Sequence, residues 1–342
     1  MTKFSIIIPV FHGKQYLKCS LVSLLRVDYD PEEFEVITVV PQNDIGSMRI
    51  VSEFLASAPF SLILITSILS QRAIMLNTAI KYSKGDYIAF IDDDCLVPSD
   101  WLHSLETFMS TNPRCGIVGG RDILVENGKS FGKALDIVFS SFWGNGGIRD
   151  SSYGFLGKYY PRLWNMCVAR LAMQKILKKS AEPSIFNNNL QVFEEIDLGI
   201  RVESEGYSVS YNPMLYVYHY RNTSYKDFLY RNFHMGRICK NLNVYVPLHR
   251  MLVLGILLVS VLIIDSFFVE TLLFFLVSLI GLLMLVLIWI TANNLRKIDR
   301  IYIFFWIPLI LTGLYLSRGL GYFTGELQYL REKTNQLYPF HV

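Results

Sequence analysis

The sequence predicts a doubly wound α/β domain followed by apolar helices that enter a membrane. Two observations carry this expectation. Up to about residue 245, short apolar runs alternate with amphipathic stretches, the pattern of strands and crossover helices in a sheet covered on both faces. Beyond it, residues 251–316 hold most of the excess that lifts the apolar fraction of this 342-residue chain to 52%, above the usual globular range.

The elements follow in order. "FSIIIPV" at 4–10 reads as a strand and precedes a helical pattern at 14–26. "FEVITVV" (34–40) precedes a helix at 47–57, and "SLILIT" (61–66) precedes one at 71–82. "DYIAFID" (86–92) leads into 99–110, and "CGIVGG" (115–120) follows. Near-continuous apolar strands of this length suit a parallel sheet. Further on, "FEEIDLGIRVESEG" (193–206) has an apolar side of Ile196, Leu198, Ile200 and Val202. Asp197 and Arg201 are spaced to pair, Glu194 and Glu195 sit in the favourable first turn, and Gly206 ends the helix. The run Gly144 to Gly147 beside Trp143 reads as a loop.

Residues 267–290 are almost wholly apolar and would span about 36 Å as a helix, against a membrane core of roughly 30 Å. Residues 251–264 are shorter, about 21 Å, and with Asp265 and Glu270 at the turn they read as the other arm of a hairpin. Residues 301–317, interrupted by Pro308, are a third candidate, either a crossing or an interfacial segment. Arg296, Lys297 and Arg300 mark the preceding loop as cytoplasmic. The stretch 225–250 mixes Phe228, Leu229, Phe233, Met235 and Ile238 with Arg231, Arg237 and Lys240, as an interfacial amphipathic helix does. The expected organisation is a domain at 1–224, an interfacial segment at 225–250, and a membrane region at 251–342 with two or three hydrophobic helices. Such a protein is multi-pass in the cell membrane, with its α/β domain in the cytoplasm.

A net charge of +3 without a basic cluster argues against nucleic-acid partners. The five cysteines are scattered, which fits reduced thiols rather than a disulfide framework. No ionisable side chain lies deep within the apolar helices, so a transport pathway is not indicated.

The chemistry concentrates in Asp92, Asp93 and Asp94, at the carboxyl end of the fourth strand, where ligands bind in open α/β sheets. Residues two apart on an extended segment face the same way, so Asp92 and Asp94 can share one ion while Asp93 points elsewhere. An oxygen-only set selects a hard cation, Mg²⁺ or Mn²⁺, and such ions complete their shell with substrate phosphates. A nucleoside diphosphate compound is the implied ligand.

"FSIIIPVFHGKQYLKCSLVSLL", "KGDYIAFIDDD" and "FEEIDLGIRVESEGYSVSYNPMLYVYH" occur in this order over residues 4–240. Together they resemble the family 2 glycosyltransferases, of GT-A fold, and most closely the membrane-attached enzymes of exopolysaccharide assembly. The resemblance implies that Asp92 and Asp94 form the metal-binding Asp-x-Asp element and that His219 completes the metal's coordination. It implies that Pro9, Phe11, Asp44, Gln71, Arg72, Asn77, Asp92 and Asp93 line the donor pocket. Glu195 falls at the general base, and Trp143, Glu194 and Asp197 at the acceptor site. The third segment would be a helix followed by a strand pair. Two places depart from the family: Pro41 and Gln42 replace an acidic pair, and Phe11, His12 and Gly13 replace an aromatic-Asn-Glu tip. Either a UDP- or a GDP-linked sugar therefore fits as donor.

The implied activity is metal-dependent, inverting transfer of one sugar to an acceptor on a polyprenyl phosphate or diphosphate carrier. The alternative is an inactive nucleotide-sugar-binding subunit of a membrane glycan-assembly complex. A processive synthase is disfavoured, because "QYLRE" lacks the tryptophan of a Gln-x-x-Arg-Trp motif.

Overall fold

The computed structural model describes residues 2–11, 14–125, 130–141, 144, 153–154, 157–179, 184–190, 192–220, 223–239, 261, 277–278, 281 and 301–337. The chain divides into two compact units, one of residues 1–127, 149–153 and 158–221, the other of 128–148, 154–157 and 222–342.

The first unit opens with β1 (Phe4–Pro9), α1 (Lys14–Leu24), β2 (Phe34–Pro41), α2 (Ile45–Leu55), β3 (Ser61–Ser67), α3 (Arg72–Tyr82) and β4 (Tyr87–Phe90). Next come β5 (Cys95–Leu96), α4 (Trp101–Thr111) and β6 (Cys115–Leu124). After α5 (Ser130–Ser140) and a small ribbon of β7 (Tyr153–Gly154) with β8 (Gly157–Lys158), the chain adds β9 (Met166–Ala169), α6 (Arg170–Lys179), α7 (Glu194–Ser204) and β10 (Ser208–His219).

The large sheet runs β3-β2-β1-β4-β9-β6-β10-β5. Its first four strands are parallel, as are β6 and β10. The expected all-parallel layer is corrected at two places. β9 enters antiparallel between β4 and β6, and β5 lies antiparallel on β10. Both are too short to declare themselves by periodicity, since two to four apolar residues fit any buried segment equally well.

Alternation along each strand feeds two cores. Phe4, Ile6 and Ile8 of β1 join Leu17, Leu21, Val51, Trp101 and Leu105 from α1, α2 and α4. Ile7 faces the other way, to Met75 and Leu76 of α3, Met173 of α6 and Val202 of α7. Burial on both faces is what makes these strands continuous apolar runs.

The strand pair expected after α7 is one strand, β10, whose register on β6 shifts between Tyr211 and Tyr216. Gly120 of β6 faces this irregularity. A Cβ there would fall 1.6 Å from the Leu215 carbonyl oxygen, so only glycine lets the bulge close on β6.

The second unit packs α5, α8 (Tyr225–Cys239) and α9 (Ile301–Leu337) around Leu135, Val138, Phe228, Ile307, Ile310 and Leu314. A Cβ on Gly236 would lie 2.0 Å from the Arg318 carbonyl oxygen, and one on Gly321 would lie 1.9 Å from that of Phe233. The α8 and α9 backbones therefore touch. Within the stretch expected to be interfacial, α8 turns Phe228 and Leu229 onto protein. The candidate segment 301–317 is the first half of α9, which continues unbroken through Pro308. An exposed apolar row of Phe305, Leu309, Leu316, Leu320 and Phe323 runs along it. Among the described residues no helix is long and apolar enough to cross a membrane. The hairpin at 251–264 and 267–290, apart from residues 261, 277–278 and 281, lies outside the described residues, as do Arg296, Lys297 and Arg300.

Candidate active site

The acidic run turns sharply after β4, with the Cys95 amide donating to the Asp92 carbonyl at 3.1 Å. Its three carboxylates then part company. Asp93 accepts from the Phe11 amide at 2.9 Å and ties the turn to the tip of β1. Asp92 Oδ2 meets Arg72 Nη2 at 3.4 Å, whereas Asp92 Oδ1 is buried with no hydrogen-bond partner. Asp94 Oδ1 lies 3.1 Å from His219 Nε2. Pairing of β5 with β10 sets His219 directly opposite Cys95, which is how a residue remote in sequence reaches Asp94.

An orphaned, buried carboxylate oxygen costs free energy unless something positive meets it, so the donor set fits a divalent cation. Burial pushes the Asp92 carboxyl up, with Arg72 pulling it back and Asp94 adding to the rise. Burial acts against a charge on His219, but Asp94 and Asp122 overcome it and hold the imidazole up at about 10. The oxygen-only premise needs correction, because His219 and Cys95 stand within ligand range of Asp94. Burial and the neighbouring carboxylates keep the Cys95 thiol well above its ordinary value, and a protonated thiol is a poor ligand. The effective donors are oxygen and imidazole nitrogen, a set that suits Mn²⁺ as well as Mg²⁺.

The second cluster sits on the first turn of α7. Phe193 caps it in a left-handed conformation, φ 65°, which is uncommon for a bulky residue. Its carbonyl accepts from the Ile196 and Asp197 amides, both at 3.0 Å. That geometry buries Glu194 and Glu195. Glu195 Oε1 is 2.6 Å from Arg162 Nη1, and the Arg162 guanidinium stacks 5.1 Å from the Phe193 ring centroid. Glu194 Oε1 is 3.9 Å from Arg72 Nε. Burial first, and Glu195 second, raise the Glu194 carboxyl to about 7. Two adjacent carboxylates resist ionising together, and the rise falls on Glu194, while Glu195 faces Arg162.

The raised carboxyl has a measurable consequence. Its protonated form favours the folded state, fully so below the ordinary value of 4.5, and this contribution is lost as pH rises through about 7. Glu194→Gln cannot ionise. It is expected to be more stable than the parent at pH 8 by on the order of 3 kcal/mol, with the difference vanishing near pH 4. Urea unfolding at the two pH values checks this, and equal stabilities at pH 8 would contradict it.

The remaining candidates divide. Phe11, beyond Pro9 at the end of β1, lies under the Arg72 guanidinium at 5.0 Å from the ring centroid. Asp44 caps α2, since its carboxylate accepts from the Ser47 amide at 3.0 Å and the Ser47 hydroxyl at 2.6 Å. Asn77 ties α3 to the segment at 186–188. It donates to the Phe186 carbonyl at 2.7 Å and to Asn188 Oδ1 at 2.9 Å, and accepts from the Phe186 amide at 2.9 Å. Gln71 donates to the Asn188 and Leu190 carbonyls. Asp197 pairs with Arg201 at 2.8 Å. Trp143, His12 and Gly13 lie outside the described residues. The sequence reading missed Arg162, Cys95 and Asp122. A lone arginine inside "YYPRLWN" was a usable signal, because a guanidinium among aromatics needs a carboxylate partner.

The family description "Glycosyl transferase family 2" matches residues 5–174, which include β1 to β4, the acidic turn and Arg162. The chain belongs, through those residues, to glycosyl transferase family 2. An uncharacterized glycosyltransferase, YfnE, of Bacillus subtilis is 35% identical over 100 residues, 29% of this chain and 24% of its own length. The chain thus spans about a quarter of that relative. A dolichyl N-acetyl-α-D-glucosaminyl phosphate 3-β-D-2,3-diacetamido-2,3-dideoxy-β-D-glucuronosyltransferase of Methanococcus voltae is 22% identical over 69% of this chain and 72% of its own. The mannosyltransferase PcManGT of Pyrobaculum calidifontis, solved with GDP-Man and Mn²⁺, superposes with a TM-score of 0.59 at 13% identity, over 94% of this chain and 87% of its own. That likeness gives the fold, a GT-A-like mixed sheet.

Proposed function

We propose that this chain moves one sugar from a nucleoside-diphosphate donor, UDP- or GDP-linked, to an acceptor on a polyprenyl phosphate or diphosphate carrier, inverting the anomeric carbon. One observation carries the reading: Arg72 reaches Asp92 at 3.4 Å and Glu194 at 3.9 Å. A single guanidinium joins the acidic turn of β4 to the acid pair of α7, so the two clusters form one site.

Asp92, Asp94 and His219 would hold a Mg²⁺ or Mn²⁺ ion. When bound, that ion supplies charge neutralisation for the departing diphosphate. Arg72, kept protonated by Asp92, Glu194, Glu195 and Asp94 against its own burial, adds fixed positive charge on the same side. Glu195 takes the proton from the acceptor hydroxyl, and Arg162 holds the carboxylate in place until that hydroxyl arrives. With one base and no enzyme nucleophile required, attack proceeds in line and inverts configuration.

Attachment to the cell membrane, multi-pass and with the glycosyltransferase domain on the cytoplasmic side, is supported by the apolar segments at 251–290 and the basic loop at 296–300. The exposed apolar row of α9 supports it too. The M. voltae relative, named for a dolichyl N-acetylglucosaminyl phosphate, supports the acceptor class. The archaeal neighbour holds GDP-Man and Mn²⁺, ligands of the classes proposed here.

The test is a screen of UDP- and GDP-sugars with the full chain, Mn²⁺ and a polyprenyl phosphate-linked acceptor, reading nucleoside diphosphate release and the product's anomeric configuration by NMR. Release with an inverted product is expected. Retained configuration would remove Glu195 from its role. Binding without release from any donor would favour the inactive-subunit reading, which the capture of Asp44 by Ser47 supports.

A further inference from the structure

We propose that Asp122 is a positioning residue for the metal ligand His219. The inference rests on the metal reading above. His219 is held from both ring nitrogens, with Nε2 3.1 Å from Asp94 Oδ1 and Nδ1 3.4 Å from Asp122 Oδ2. The arrangement comes from the sheet itself. β6 and β10 run parallel with Asp122 opposite Val217 and Leu124 opposite His219. Side chains two apart on a strand share a face, so Asp122 and His219 are diagonal neighbours across the two strands. The ring of Trp164, its centroid 5.3 Å from that of His219, covers the imidazole.

A neutral imidazole offers one nitrogen as acceptor while the other carries the proton. Asp122 is buried and acts only as an acceptor when ionised. It therefore keeps the proton on Nδ1 when an ion takes the place of the Nε2 proton that Asp94 otherwise accepts, and Nε2 is then the nitrogen left to ligate. Carboxylates behind a ligating histidine fix its tautomer and raise its basicity, and their loss typically lowers metal affinity by about 10- to 100-fold. Nothing in the acidic run announces this residue, because Asp122 comes from a different strand.

The experiment measures Mn²⁺ affinity of the full chain by electron paramagnetic resonance of the free ion at constant pH. It compares the parent with Asp122→Asn, Asp122→Glu, His219→Ala and the Asp122→Asn/His219→Ala double variant, with folding checked by circular dichroism. Asp122→Asn is expected to weaken Mn²⁺ binding by about 10- to 100-fold, and Asp122→Glu to recover part of the loss. In the His219→Ala background the Asp122 substitution should change nothing further. Parental affinity in Asp122→Asn would overturn the proposal, as would an equal loss with and without His219. Asp122→Ser takes the same place in the cycle if the amide variant does not fold. Failure of the parent itself to bind Mn²⁺ would overturn the metal reading and this inference together, an outcome distinct from the other two.

Discussion

Glu195→Gln is expected to lower turnover by about 10³-fold, within the 10² to 10⁴ that a positioned general base contributes. Mn²⁺ affinity and donor binding should stay at parental values. The amide keeps the size of the side chain and can still accept from Arg162 Nη1, 2.6 Å away in the parent, so the cap of α7 and the stacking of Arg162 on Phe193 survive. What disappears is the ability to take a proton. Single-turnover assays with bound donor separate the two properties. Parental turnover in the amide variant would transfer the base to another group, and Glu194, the neighbour with the raised carboxyl, would be next to test by the same substitution.

Asp94→Ala is expected to act on the opposite half of the reaction. It removes a buried oxygen that faces His219 Nε2 at 3.1 Å and leaves Asp92 and His219 as an incomplete set. Metal-dependent donor binding should fall by at least about 100-fold, since ions of this class demand near-complete, well-placed oxygen ligands. Calorimetry with a nucleoside diphosphate, with and without Mn²⁺, reads this directly. A parental Mn²⁺-dependent gain in affinity would show that the ion sits elsewhere. Together the two substitutions distinguish a site that binds without reacting from one that cannot bind.

The strand–helix alternation was legible because β1, β2 and β4 are buried on both faces, and burial on both faces writes itself as unbroken apolar runs. The Asp92–Asp94 turn was legible for the same reason, as charge at the end of such a run. β9 was not, because "MCVA" is too short to carry a period. The partners of the acids were hidden for a different reason. Arg162 and Asp122 reach Glu195 and His219 across 33 and 97 residues of chain, and no local spacing encodes such a meeting. The partners of Asp44 and Asn77 were not legible, because a polar side chain near a strand's carboxyl end serves a helix cap or a loop clamp as readily as a ligand.

Helix α3 has a mechanical consequence. Its first turn places Arg72 between the acidic turn after β4 and the acid pair of α7, while Gln71 just before it and Asn77 further along grip the turn at 186–190. A two-substrate displacement succeeds only when nucleophile and departing group are aligned within fractions of an ångström. One rigid rod fastened to both keeps that alignment, so any disturbance of its first turn should spoil both halves of the reaction together.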